Sequence, residues 1–136
     1  MRSNLQTVFM AKRISVKMEY ILRASPTILF NFLTTPACLI RWFCDEADEQ
    51  SDFFYFGWNG SVQAAQIVDF IEDERLLLKW EDAEDENEYL EYKVYRSPIT
   101  DETIMEITDF CDHDEEKDIR QIWDYSIKKL RAEMGG

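Results

Sequence analysis

The segment DEEKDIRQIWDYSIKKLRAEM, Asp114 to Met134, decides the fold. It carries Ile119, Ile122, Trp123, Ile127 and Leu130 at the three- and four-residue spacing that gathers apolar side chains on one side of a helix. A long helix with a single apolar stripe needs a surface to lie on. The residues before it read as strands, and a helix laid across a curved antiparallel sheet makes a container. The order of elements therefore predicts a binding cavity with this helix as its lid.

Working back from the helix, Thr103 to Phe110 and Tyr89 to Arg96 alternate around a turn at Ser97-Pro98, with Leu90, Tyr92 and Val94 on one face. Leu76, Leu78 and Trp80 stand opposite Leu77, Lys79 and Glu81, after a turn at Glu72-Asp73-Glu74. Ser61 to Ile71 is a longer strand that follows the hairpin signal Asn59-Gly60. Phe53 to Trp58 is an aromatic strand, and Cys44 to Gln50 alternates weakly. Strands joined by such short turns imply an antiparallel meander.

Near the start, Arg13 to Ala24 alternates with a period of two, with Ile21 the exception. Ser25-Pro26 is a helix start, because Ser caps free backbone N–H groups and Pro tolerates the first helical position. Ile28, Leu29, Phe32 and Leu33 follow at helical spacing. Thr34-Thr35-Pro36 repeats the signal and opens a second short helix through Leu39, Ile40 and Phe43 that ends near Trp42. Residues 1–10 fit neither period and are read as a tail or an edge extension, with Met10 an alternative translation start. Residues 11–136 are read as one domain.

The 136 residues carry a net charge of −13, and the charge is uneven. Up to Arg41, the basic residues Arg2, Lys12, Arg13, Lys17, Arg23 and Arg41 face Glu19 alone, so the rest is strongly acidic. Asp45 to Asp52, Glu81 to Glu91 and Asp112 to Asp118 hold the clusters. Such a surface repels phosphate backbones and anionic membranes, so no nucleic-acid partner is expected. No stretch has the roughly 20 apolar residues that span a bilayer, and no membrane insertion is expected. The three cysteines, Cys38, Cys44 and Cys111, are unpatterned and fit reduced thiols in the cytoplasm.

Several stretches together resemble one known family. They are the opening strand into Ser25-Pro26-Thr27-Ile28-Leu29-Phe30-Asn31-Phe32-Leu33-Thr34-Thr35-Pro36, then Arg41-Trp42-Phe43, then Ile67 to Leu76 through Trp80, then Thr103, and Trp123 with Leu130. In order and spacing they resemble the START-like, birch-pollen-allergen-like helix-grip superfamily (SRPBCC), in particular its branch related to activators of the heat-shock chaperone ATPase. The resemblance covers about residues 12–133. It implies an α+β helix-grip fold: a curved antiparallel sheet of six or seven strands around the long C-terminal helix, with two short helices after the first strand. Members of the family bind lipids, sterols, polyketides, hormones or protein partners, and a few catalyse cyclisation.

The candidate cavity residues are Phe30, Trp42, Phe54, Phe56, Trp58, Trp80, Tyr92, Trp123 and Ile127, with Tyr95 nearby in sequence. Large aromatic rings bury much area, and Trp and Tyr keep a polar handle that can orient a ligand. Ordinary core packing is the competing reading for each of them. Arg41, Lys79, Lys93 and Arg96 are the cations that a pocket mouth would need for a carboxylate or phosphate, although Lys79 and Lys93 alternate with apolar neighbours and read as solvent-facing. His113 sits in a loop, with Asp114 expected to cap the closing helix, and no ligand spacing marks a metal or cofactor site. Cys44 has no identifiable base partner. The acidic stretch Glu81 to Glu88 reads as a solvated hairpin that can steer a basic partner.

These readings combine into a non-catalytic START-like domain whose apolar cavity binds a small hydrophobic or lipid-like molecule. A co-chaperone-like protein-interaction module is the alternative, and a polyketide-cyclase-like enzyme a second. Phe53 to Trp58 is aromatic on both faces, more than one sheet face needs, so a homodimer through this strand is expected. Sedimentation at micromolar concentration should give the mass of two chains, and a single-chain mass would overturn the expectation.

Overall fold

The computed structural model describes residues 12–83 and 85–135, and the expectation for residues 1–10 lies outside them. Seven antiparallel strands form one sheet: β1 Arg13–Leu22, β2 Glu46–Gln50, β3 Phe53–Trp58, β4 Ser61–Ile71, β5 Arg75–Trp80, β6 Leu90–Arg96 and β7 Thr103–Asp112. From β2 to β7 each strand pairs with its neighbour in sequence. The first strand closes the order by pairing with the last, giving β1-β7-β6-β5-β4-β3-β2. Helices α1 (Pro26–Thr34) and α2 (Pro36–Leu39) fill the connection between the two edge strands, and α3 (Glu116–Met134) crosses the sheet.

Local chemistry explains most boundaries. Asn59 and Gly60 both have positive φ, 49° and 85°, the geometry of a two-residue hairpin turn whose twist matches its strands. In β4 the register shifts between Ile67 and Asp69, so Val68 is an extra residue. That bulge reverses the alternation: Phe70 pairs with Leu76 and meets Phe30 edge-on at 5.3 Å, while Asp69 turns outward to the Arg75 guanidinium. Ser25 accepts the Ile28 N–H at 3.2 Å and caps α1 as expected. Gly135, at φ 86°, takes the left-handed conformation that ends α3.

Three expectations are corrected. The first strand stops at Leu22, two residues early, because Arg23 and Ala24 bend away to reach the Ser25 cap. The second helix is a single turn, Pro36–Leu39. Beyond it the chain tightens, with Arg41 N–H donating to Cys38 O and Trp42 N–H to Leu39 O. This turns Trp42 inward, where its indole N–H donates to Phe32 O at 2.8 Å. Asp114 does not cap α3 but lies inside a 3₁₀ turn, His113–Glu115. The β1–β7 ladder runs on to Asp112, held by Arg13 at 3.0 Å, and His113 N–H then donates to Lys12 O, so the helix can start only at Glu116.

The stripe on α3 is narrower than its sequence pattern. Trp123, Ile127 and Leu130 are buried and Ile119 is half-buried, but Ile122 is 63% exposed at the margin of the stripe. Arg120 and Arg131 donate to the Lys17 and Ile21 carbonyls of β1, so α3 also blocks the hydrogen-bonding edge of that strand. At the opposite edge β2 carries Glu46, Asp48 and Glu49, charges that discourage strand addition. Phe53 to Trp58 lies inside the sheet, between β2 and β4. Its Phe54 and Phe56 point inward, while Phe53 and Tyr55 stack at 6.2 Å on the convex face.

Among the described residues no helix is long and apolar enough to cross a membrane. The Trp42 bond ties the helical corner to itself in the core, and removing the donor leaves a buried carbonyl without a partner. Trp42→Phe is expected to lower unfolding stability by about 1–3 kcal/mol, read by urea denaturation followed by circular dichroism.

Candidate functional site

Strand pairing fixes what faces α3. Tyr92 lies beside Leu76 and Ile107, Ile107 beside Met18, and Met105 beside Tyr20, so these share the concave face. On the other half, Phe54 pairs with Ala65, Phe56 with Gln63, Ala65 with Trp80, and Ile67 with Leu78. The helical corner fills one end of this trough with Leu29, Phe30, Leu33, Leu39 and Trp42, all buried.

The other end is not filled. Between the N-terminal half of α3 and the ends of β3, β5 and β7 lies a recess of ≈ 510 Å³, within the roughly 300–1,000 Å³ of small-molecule sites. Its wall is an arc of four aromatic rings. Trp80 and Trp58 have ring centres 6.3 Å apart, Trp58 and Phe43 5.4 Å, and Phe43 and Trp123 6.1 Å. Leu90 lies at the base, Ile119 and Ile122 come from α3, and the polar contributors are Gln63, Ser126 and Asp109. Ile122, left outside the buried stripe, thus contributes to the lip.

Hydrogen bonds hold three of these rings in place. The Trp58 indole N–H donates to Phe43 O at 2.9 Å, which fixes Phe43 beside it. The Trp123 indole N–H donates to Asp109 Oδ2 at 2.9 Å, and the Phe110 N–H to Asp109 Oδ1 at 2.8 Å. Among the described residues the Trp80 indole N–H has no protein acceptor, which leaves it available at the recess.

Phe43, Gln63, Ser126 and Asp109 line the recess without being among the candidate cavity residues, and Asp109 is the charged one. The signal was present, since Thr103, Met105, Ile107, Asp109 and Cys111 share one face of β7 and only one of them is charged. Burial raises its pKa above the ordinary carboxylate range, against the opposing pull of the Trp123 and Phe110 donors and of Arg13, while Glu88 raises it further. Tyr92, on the neighbouring strand, is pushed well above its usual value by burial, with Asp109 and Cys44 adding to it. Burial also pushes the Cys44 thiol up to about 11, with help from Asp45, so Cys44 is a weak nucleophile.

Of the nine candidate cavity residues, Trp58, Trp80 and Trp123 line the recess. Phe30, Trp42, Phe54, Phe56, Tyr92 and Ile127 are buried in the adjoining core, and Tyr95 is on the convex face. The candidate cations do not reach the site. Arg41 pairs with Glu133 at 2.8 Å near the far end of α3, Lys93 is exposed, and Arg96 donates to Asp101 O. Lys79 borders a separate recess with Phe53 and Gln66. His113 is exposed, and among the described residues no group of three or more His, Cys, Asp or Glu side chains is arranged to hold a metal ion. A larger recess, ≈ 780 Å³, lies at the opposite end of the molecule among Arg23, Arg96, Arg131, Asp101 and Glu102, but among the described residues no aromatic side chain lines it.

Comparison with known proteins agrees with this architecture. The START-like superfamily domain matches residues 10–136. The solved structure of BfR322 from Bacteroides fragilis is similar at 31% identity and a TM-score of 0.65, over 92% of this chain and 93% of that one. The Aha1 dimer from Colwellia psychrerythraea is similar at 13% identity and a TM-score of 0.73, over 87% and 93%. Protein MLL2253 from Mesorhizobium loti is similar at 15% identity and a TM-score of 0.70, over 88% and 95%. The last two likenesses are of fold. No curated protein matches the chain.

The raised pKa of Asp109 has a signed consequence for stability. A carboxyl group whose folded value lies above its unfolded one contributes most to stability when protonated, and the contribution is lost as pH rises through the folded value. The stability of the native chain relative to Asp109→Asn should therefore fall as pH rises across and just above the ordinary carboxylate range, then level off. Denaturation of both proteins as a function of pH checks this, and a difference that grows with pH would refute it.

Proposed function

The chain belongs to the START-like superfamily, and we propose that it is a single, non-catalytic ligand-binding domain whose aromatic recess holds a small apolar or lipid-like molecule. The observation that carries this reading is the arc Trp80–Trp58–Phe43–Trp123 around an open volume of ≈ 510 Å³. A folded core normally closes on its aromatic side chains. Here the helical corner does so at one end, and at the other three of the four rings are braced by hydrogen bonds around an open recess.

Binding is a better use of this site than catalysis. Of the lining residues only Asp109 is titratable, and both of its oxygens already accept hydrogen bonds from Trp123 and Phe110. General acid–base chemistry would need a second group within reach of a substrate proton. The neighbouring Tyr92 and Cys44 hold their protons tightly for want of solvation.

The reading includes a cytoplasmic location and a pairing of two chains through the convex Phe53 and Tyr55. In support of the pairing, those rings stack on the outer face, and the Colwellia psychrerythraea protein is described as a dimer. A co-chaperone-like role draws on the sequence resemblance to the chaperone-activator branch and on the net negative charge.

Trp80 is the best residue on which to test the recess. It is half-buried and makes no hydrogen bond through its indole among the described residues, so its truncation costs packing against Phe56 and Trp58 but leaves no buried polar group unpaired. Titration with the neutral fluorophore N-phenyl-1-naphthylamine is expected to show saturable binding. Trp80→Ala should weaken it about tenfold, equivalent to about 1.4 kcal/mol, in a variant that circular dichroism shows to be folded. Unchanged affinity in a folded variant would remove the recess as the binding site.

A further inference from the structure

We infer that the ligand held in this recess is an organic cation, a small molecule with a quaternary or tertiary ammonium head attached to an apolar body. The inference rests on the reading of the recess as a ligand site and specifies what that site selects. It comes from three observations taken together.

The first is the wall. Trp58, Trp80, Phe43 and Trp123 surround one volume, and the faces of aromatic rings, those of Trp most of all, attract a cation that has shed its water. An alkylated ammonium sheds water easily because it has few or no N–H groups to hydrate. It also presents methyl groups that pack against rings and against Leu90, Ile119 and Ile122.

The second is the sign of the charge. Among the described residues no lysine, arginine or histidine lines the recess, and the one charged residue there is Asp109. An adjoining recess of ≈ 200 Å³ shares Gln63, Trp80 and Asp109 with it and adds Asp82 and Glu88. The one cation there, Arg13, is engaged by Glu88 at 2.6 Å and Asp112 at 3.0 Å. A carboxylate or phosphate head group would meet the Asp109 carboxyl with only Arg13, already shared between Glu88 and Asp112, to offset it. A positive head group would meet a carboxylate held rigidly by two N–H donors, with lone pairs remaining on both oxygens.

The third is the approach. The acidic segments and the net charge of −13 raise the local concentration of small cations near the surface and lower that of anions. Arg23, Arg96 and Arg131 cluster at the opposite end, around the other large recess.

The test uses isosteric probes. Benzyltrimethylammonium and its neutral carbon analogue, neopentylbenzene, have nearly the same shape and differ by one charge, and phenylacetate supplies the opposite charge. Each is titrated into ¹⁵N-labelled full-length protein while the indole N–H signals of Trp58, Trp80 and Trp123 are followed. The cation is expected to shift these signals with a Kd at least tenfold below that of the neutral isostere, and phenylacetate to leave them in place. Asp109→Asn should cut the preference for the cation at least fivefold. As that variant disturbs the Trp123 bond, Trp80→Leu serves as the second: it keeps an apolar wall but loses a π face, so it should retain the neutral isostere while losing affinity for the cation.

Equal affinity for the two isosteres, or tighter binding of phenylacetate, would overturn the charge preference and leave the recess as an apolar site. A preference unchanged in both variants would overturn the assignment to Asp109 and the rings. No shift with any probe would overturn this inference and the recess reading together.

Discussion

The hydrogen bond from the Trp123 indole to the Asp109 carboxylate sets how the closing helix sits on the sheet. Hydrophobic burial of Trp123, Ile127 and Leu130 brings α3 down, but burial is non-directional and would tolerate a helix rotated or slid along its groove. A directional bond between an indole N–H and a carboxylate anchored by the next residue's N–H removes that freedom. It also places a charge on an apolar face, a cost visible in the upward shift of the Asp109 pKa.

Indole hydrogen bonds set the other elements in the same way. Trp42 donates to Phe32 O and folds α2 back on α1, and Trp58 donates to Phe43 O and ties the end of that corner to β3. These bonds and the Trp123 bond connect the corner, the sheet and the closing helix. Between them the Trp58 and Trp123 bonds hold Phe43 and the two indoles in an arc, and the recess is the volume that the arc surrounds. Trp80 completes the arc without an anchor of its own, which makes it the ring whose removal tests binding more than folding.

Much of this was legible in the chain. Element order, the hairpin at Asn59-Gly60, the Ser25-Pro26 start and the inward set Leu90, Tyr92 and Val94 all follow from local rules that hold before any tertiary contact forms. The misreadings share a cause. Asp114, the length of α2 and Ile122 each depended on where a neighbouring element stopped: the β1–β7 ladder ran on to Asp112, Trp42 turned back to Phe32, and α3 settled with Ile122 at the margin of its stripe. Asp109 went unremarked because strand alternation marks a face but does not mark which part of that face stays open.

By itself the sequence determined the helix-grip architecture, since strand alternation, turn chemistry and a one-sided helix each act over a few residues and agree with one another. It also determined the net negative charge and supplied the aromatic residues that line the recess. Only the tertiary structure decided which aromatics are core and which are wall. Trp42 and Phe54 are as apolar as Trp58 and Trp80, but the first pair is buried in the core and the second stays half-exposed at the recess. That distinction depends on where helices rest on a curved sheet, a property of packing between distant segments that no local pattern encodes.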